Sequence, residues 1–331
     1  MRSKVLKGVF VVRYAACVVF LMSLGICSAS DKQREASGLM AEADDAQNLR
    51  SANAKPFRIH MRVHAERIVA RPSDGTYDEV WLSSDKWRRE IAFPGFDQVE
   101  VGDASSIWMS RNLEFRPRLA SLLEHAILNR PDIHPGETAV EIHDKKKNET
   151  NLRCVRLQSQ HWPSSELCFD SSGALSMEEM GLQRFEYSDY SKFGGKIFPR
   201  SVHVYEKGKE VLAISVDDPT LVSDPTPKLF ERMTSATQFA PCERSQRELV
   251  KKTPPHYPQE ARSNHIQGTV VLYALLSGEG RVQNTKVLES AGDSLDRAAI
   301  EAVKQWEYGP ASCGKTPLPT ETEIQVNFAL N

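Results

Sequence analysis

Every second residue between 57 and 65 is apolar. Phe57, Ile59, Met61, Val63 and Ala65 alternate with Arg58, His60, Arg62, His64 and Glu66. Only an extended backbone puts residues i, i+2 and i+4 on one side, so the stretch predicts a half-buried antiparallel strand. Strand-like runs recur as "GTYDEVWLS", "KWRREIAF", "DQVEVG" and "SSIWMS", then "TAVEIH", "LRCVRLQ", "ELCFD", "ALSMEEM", "RFEYSDY", "IFPRSVHVYE" and "EVLAISVDD". Turn residues part them: Ser73-Asp74-Gly75, Pro94-Gly95, Gly102-Asp103 and the Lys207-Gly208 pair. One helix interrupts in "RPRLASLLEHAILNRP", with Leu119, Leu122, Leu123, Ala126 and Ile127 on one face and Pro131 as its stop. A meander over 56–218 must curl to bury its apolar face. The expected class is α+β, with a bent antiparallel sheet or open barrel crossed by helices.

The period changes at both ends of this region. Residues 31–55 are polar and helix-like, with a thin stripe of Leu39, Ala43, Ala46 and Leu49. Residues 217–244 hold four prolines and many Ser, Thr and Asp, which marks a linker with one helical turn at "PKLFERM". Beyond it stands "PPHYPQEA". Pro254, Pro255 and Pro258 restrict themselves and their predecessors to extended geometry, and Pro258 suits the first position of a helix over 258–265. "GTVVLYALLSGEGRVQNTKVLES" predicts a hairpin turning at Ser277–Gly280. "SLDRAAIEAVKQWEY" predicts a helix with Leu295, Ala298, Ala299, Ala302, Val303 and Trp306 on one stripe, capped by Asp293 or Ser294. "LPTETEIQVNFAL" closes as a strand with Ile324, Val326, Phe328 and Leu330 inward. The C-terminal order is αββαβ. The expected division is 1–30 leader, 31–218 sheet domain, 219–250 linker and 251–331 small domain.

Residues 1–30 carry Arg2, Lys4, Lys7 and Arg13, no acidic residue, the apolar run "YAACVVFLMSLGIC" and then "SAS". A basic start, a short apolar core and small residues predict a cleaved export signal. The alternative is an uncleaved anchor extended back through Val9–Val12. Ile26 before Cys27 argues against a lipoprotein site. The remainder has 38 basic against 44 acidic residues, which excludes a nucleic-acid partner needing a basic face. With 40% hydrophobic and 26% charged residues the chain is globular. In an oxidising compartment Cys154, Cys168, Cys242 and Cys313 predict disulfides. Cys154 and Cys168 lie on two runs joined by a short loop, and Cys242 and Cys313 pair by elimination. The alternative is four buried free thiols. No CxxC spacing or adjacent histidine suggests zinc, and no metal is expected.

The leading helix, the alternating strand and "GTYDEVWLSSDKWRREI" resemble the periplasmic lipoprotein carriers LolA and LolB. That resemblance implies an apolar cavity for acyl chains, which Trp81, Trp87, Phe93, Phe96 and Trp108 would line if they are not ordinary core. The C-terminal phrases "YPQEA", "GTV", "GEGRV", "SAG", "LDRAAIEAVKQWEYGPA", "GK" at 314–315 and "VNF" resemble the C-terminal domain of the TonB energy-transducer family. This second resemblance implies a periplasmic domain that grips an outer-membrane transporter by taking an extended segment as an added strand. The receiving edge would be Thr320–Phe328, with Thr320, Thr322, Glu323, Gln325 and Asn327 as binding residues and Tyr257 and Pro258 nearby. A Cys242–Cys313 bridge would staple this domain to its linker.

The chain departs from that family in lacking a clear Pro-rich rod. An inner-membrane motor complex becomes a partner only if residues 1–30 stay as an anchor. GxSxG, HExxH and GxGxxG are absent, His60 and His64 sit on a solvated strand face, and Glu178-Glu179 point to opposite faces. No catalytic residue and no cofactor is expected. The alternative function is a lipid or lipoprotein carrier, or a scaffold, built on the N-terminal domain.

Overall fold

The computed structural model describes residues 31–66, 72–103, 106–128, 131–133, 137–147, 149–159, 164–223, 226–240, 247–310 and 317–330. The expected leader at 1–30 and the expected Cys242–Cys313 bridge lie outside them. A helix over 31–47 (α1) precedes β1 (Phe57–Ala65), β2 (Ser73–Ser83), β3 (Lys86–Phe93), β4 (Phe96–Asp103) and β5 (Ile107–Arg111). Helix α2 (Arg118–Leu128) follows, then β6 (Glu137–Lys147), β7 (Thr150–Ser159), β8 (Ser165–Phe169), β9 (Leu175–Met180), β10 (Gln183–Phe193), β11 (Lys196–Glu206) and β12 (Lys209–Val216). The stretch expected as a linker carries β13 (Thr220–Leu221), a 3-10 turn at Pro227–Phe230, β14 (Thr237–Phe239) and β15 (Leu249–Lys251). The C-terminal elements are α3 (Gln259–Ser263), β16 (Gly268–Leu276), β17 (Val282–Glu289), α4 (Asp293–Val303), β18 (Glu307–Tyr308) and β19 (Thr320–Phe328).

Hydrogen bonding orders the large sheet β14-β5-β4-β3-β2-β1-β12-β11-β10-β9-β8-β7-β6, with β13 beside β1. The two ends of that order do not pair, so the sheet is not a closed barrel. β15 pairs with β18, and a separate sheet runs β17-β16-β19. The chain packs as two compact units: one takes the described residues of Met1–Asn48, Arg130–Tyr187 and Glu206–Gly208, the other those of Leu49–Asn129, Ser188–Tyr205 and Lys209–Asn331.

In the first unit α1 buries Ala36, Met40 and Ala43. Of the expected stripe, Ala43 and Leu49 are buried and Leu39 and Ala46 half-buried, while Ala36 and Met40 extend the buried face. Glu35 of α1 takes Arg153 Nη2 at 2.7 Å, and Gln33 Oε1 accepts the Ala139 N–H at 2.9 Å. Cys154 and Cys168 stand directly opposite on β7 and β8 and form the expected disulfide, with Cα atoms 4.0 Å apart.

In the second unit Phe57, Ile59, Met61, Val63 and Ala65 are all buried, as their alternation requires. Phe57 stacks on Trp81 at 5.7 Å. Trp81, Trp87, Phe93 and Phe96 are buried core, each side chain contributing about 1.5–3 kcal/mol. Gly102, opposite Trp87 on β4, makes room for that ring: a Cβ there would lie 2.0 Å from it.

The C-terminal sheet packs one face on α4. Val270, Leu272, Ala274 and Leu276 of β16 and Ile324, Val326 and Phe328 of β19 meet Leu295, Ala299 and Val303. Helix α4 starts after Gly292 rather than at an Asp293 or Ser294 cap. Asp296, inside the first turn, turns its carboxylate back to accept the Ala291 N–H at 3.1 Å and the Ser290 hydroxyl at 2.6 Å, tying the preceding loop to the helix. Helix α3 is shorter than the expected 258–265, and Pro258 stands at its N-cap. The rigid "PPHYP" arm is fixed at both ends. Trp306 Nε1 donates to the Thr253 carbonyl at 2.7 Å, and the Tyr257 ring meets Phe328 edge-on at 5.6 Å.

Candidate functional site

β19 has a hydrogen-bonded neighbour on one side only among the described strands, namely β16, with Gly268 opposite Phe328 and Leu276 opposite Thr320. Such an edge leaves backbone donors and acceptors available to an added chain. Alternation sorts its side chains. Ile324, Val326 and Phe328 face α4, with Thr320 and Thr322 on the same side of the strand; Glu321, Glu323, Gln325 and Asn327 are on the other. Of the residues expected to bind, Gln325 and Asn327 are exposed, Thr322 and Glu323 are half-buried and Thr320 is buried. Tyr257 sits at the Phe328 end of β19, where its hydroxyl donates to the Ile266 carbonyl at 2.6 Å and Arg262 lies over its ring at 5.6 Å. Pro258 is beside it as the α3 cap.

The outer face of this sheet is occupied by the chain's own residues 111–118. Arg111 forks onto Glu321, and its Nη1 lies 3.1 Å from Oε2. Arg116 Nη2 reaches the same carboxylate at 3.1 Å. Arg118 bridges two strands, pairing with Glu323 of β19 and, at 2.8 Å, with Glu289 of β17. Tyr273 of β16 donates to Glu321 at 2.5 Å, meets Phe115 edge-on at 6.5 Å and is buried. Lys286 lies over the Phe115 ring at 5.6 Å. Burial alone would raise the Glu321 carboxyl, but Arg116 and Arg111 hold it below the usual carboxylate range. Burial pushes the Tyr273 phenol up, so it stays a donor. These three arginines were not among the expected site residues. Their signal was the spacing "RNLEFRPR", three guanidinium groups in a stretch otherwise read as a lead-in to α2.

Charges continue inward. Arg116 also pairs with Glu124 of α2 at 2.9 Å, and Gln98 donates to both Glu100 and Glu124 at 2.9 and 2.7 Å. Glu79, fully buried, takes Arg50 Nε at 2.9 Å and Arg89 Nε at 3.2 Å. Burial would raise its carboxyl; Arg50 and Arg89 overcome that and lower it to about 2. The entry to the C-terminal elements is held by Arg247, whose buried guanidinium donates to the carbonyls of Ser277 at 2.6 Å and Leu318 at 2.9 Å.

A groove of about 600 Å³ in the second unit is lined by Arg58, Arg88, Thr220, Leu221, Lys228 and neighbours. Its walls mix polar and apolar groups, and the aromatic residues expected to line an acyl cavity are not among them. No helix among the described residues is long and apolar enough to cross a membrane. His143, Cys154 and Glu166 converge in the first unit, an arrangement the sequence spacing did not suggest.

Residues 253–330 match the family described as Gram-negative bacterial TonB protein C-terminal. A TonB protein of Vibrio cholerae is 35% identical over 77 residues, which is 23% of this chain and 32% of that protein. The chain spans about a third of the length of the curated relatives it matches. Among solved structures, the C-terminal domain of Pseudomonas aeruginosa TonB is 25% identical and covers 26% of this chain and 89% of its own, with a TM-score of 0.24. A LolA superfamily protein of Nitrosomonas europaea is similar over 59% of this chain and 97% of its own, at 14% identity and a TM-score of 0.44.

Proposed function

We propose that this chain is a TonB-family protein of the periplasm that binds an outer-membrane transporter, or another envelope protein, by taking an extended segment as a new strand along β19. The observation that carries the proposal is the single-sided pairing of β19, nine residues long, within a segment that matches TonB C-terminal domains. Main-chain hydrogen bonds to the free edge supply affinity, and the exposed Gln325 and Asn327 supply choice of side chains. The role is binding rather than catalysis. Residues 1–30 direct export, and coupling to an inner-membrane motor requires that they remain as an anchor. Fractionation with N-terminal sequencing tests location; recovery with intact residues 1–30 in the inner membrane moves the role from binder to transducer.

Strand addition has a geometric signature. Side chains opposite one another on paired strands have Cβ atoms about 4.5–5.5 Å apart, within reach of a disulfide or short cross-linker. Gln325→Cys and Asn327→Cys variants are mixed with transporter peptides carrying one cysteine at successive positions. Cross-linking is expected at every second peptide position, with a two-residue offset between the variants. Cross-links without that period, or no more than the parent chain gives, overturn the proposal.

A further inference from the structure

The first unit brings together a donor set unrelated to β19. His143 of β6 is directly opposite Cys154 of β7, and Cys154 is directly opposite Cys168 of β8. Cross-strand partners point to the same face, so the three side chains form a row across three strands. Glu166, two residues before Cys168, shares that face. His143 Nε2 lies 3.4 Å from Glu166 Oε1, and Cys168 Sγ lies 3.8 Å from Glu166 Oε2. Ligand atoms of His143, Cys154 and Glu166 all fall within 4.8 Å of one another. Both sulfurs are fully buried beside Leu152 and Met177. The Nδ1 atom of His143 is buried with no hydrogen-bond partner, an open coordination position in a site that otherwise satisfies its polar atoms.

We propose that His143, Cys154, Cys168 and Glu166 form a tetrahedral zinc site when the Cys154–Cys168 disulfide is reduced. Two thiolates, an imidazole and a carboxylate are donors that favour zinc among the common divalent ions. Tetrahedral zinc at about 2.0–2.3 Å from each ligand needs ligands about 3.3–3.8 Å apart, so His143, Cys154 and Glu166 close by about 1 Å while the two sulfurs, no longer bonded, move apart. The chemistry balances in two steps. A dithiol gives two electrons and two protons to the disulfide, leaving two Cys thiols and an oxidised dithiol. Zinc then displaces both thiol protons. One dication for two protons leaves the net charge unchanged, so Lys145 and Arg156, which both bond Glu166, meet no new imbalance. In either redox state β7 and β8 stay cross-linked, once by sulfur–sulfur and once through metal.

The test uses the full chain reduced with a phosphine and titrated with Co²⁺, then Zn²⁺. Reduced protein is expected to show the d–d absorption of tetrahedral cobalt and a thiolate charge-transfer band, both bleached by zinc. Oxidised protein and the Cys154→Ser/Cys168→Ser variant should show neither. His143→Ala keeps the disulfide and should weaken Co²⁺ binding at least about tenfold. Absence of cobalt uptake by folded, reduced protein overturns the site, as does unchanged affinity in His143→Ala, which would assign uptake to the other cysteines. Should reduction unfold the chain, protein made in a reducing cytosol with zinc present decides instead: bound zinc must fall in both Cys154→Ser and His143→Ala, and zinc retained by both overturns the proposal.

Discussion

Arg111 and Glu321, 210 residues apart in sequence, form an ion pair whose side chains are only 9% and 3% exposed. Removing Glu321 strands Arg111 in a place water does not reach, whereas removing Arg111 leaves Glu321 with Arg116 and Tyr273. Glu321→Ala should cost about 3–5 kcal/mol in urea unfolding, and Arg111→Ala less. The double variant should cost clearly less than their sum, because the second deletion removes a charge already stranded. Additive costs would mean the two groups do not interact.

Acid should act through Glu79. Its folded carboxyl lies at about 2 against an ordinary 4.5. The folded value is the lower one, so the stabilisation is complete above the unfolded value and drains away as pH falls toward 2. The loss is on the order of 3 kcal/mol. Glu79→Gln takes from Arg50 and Arg89 the carboxylate they share and should be the less stable protein at neutral pH. Urea midpoints of parent and variant should converge between about pH 5 and pH 2; parallel curves would assign the acid response to other carboxylates.

Opening the Cys154–Cys168 bridge should destabilise the chain by about 3 kcal/mol, the entropy scale for a loop closed over a separation of 14. Comparing Cys154→Ala/Cys168→Ala with the parent under non-reducing conditions measures it. A change under about 1 kcal/mol would mean the unfolded chain gains little freedom there.

Two glycines should respond differently to alanine. Gly280 has φ +88, and a Cβ would lie 1.9 Å from the Tyr308 carbonyl oxygen; Gly292 has φ +110 with no atom within 4 Å. Gly292→Ala should cost about 1 kcal/mol of backbone strain, and Gly280→Ala about 2–3, since β18 must move as well. Thermal unfolding of the two variants checks the order.

The period-two alternation of β1, the α4 stripe and the opposed Cys154 and Cys168 were legible because each depends on neighbours a few residues away or across one short loop. Lys207-Gly208 turned as expected, with φ 51 and 78. The cap of α4 was misplaced because the helix starts after Gly292 with no side-chain cap bond, which a list of cap-forming residue types does not reveal. β14 and β15 are three-residue strands whose pairing depends on partners far off in sequence. The clasp of Arg111, Arg116 and Arg118 was hidden for the same reason. Nothing local to "RNLEFRPR" names carboxylates some 200 residues downstream. His143 escaped notice likewise, since strand register and not spacing sets it beside Cys154.

The clasp also imposes an order in time. A chain made from its N-terminus completes β5 and α2 long before Glu289, Glu321 and Glu323 exist. Until the last strand arrives, Arg111 and Arg118 have no carboxylates from the C-terminal sheet, and Arg116 has Glu100 and Glu124 without Glu321. A chain cut short near residue 250 therefore keeps the sheet's sequence while losing the counter-charges that let its arginines stay buried.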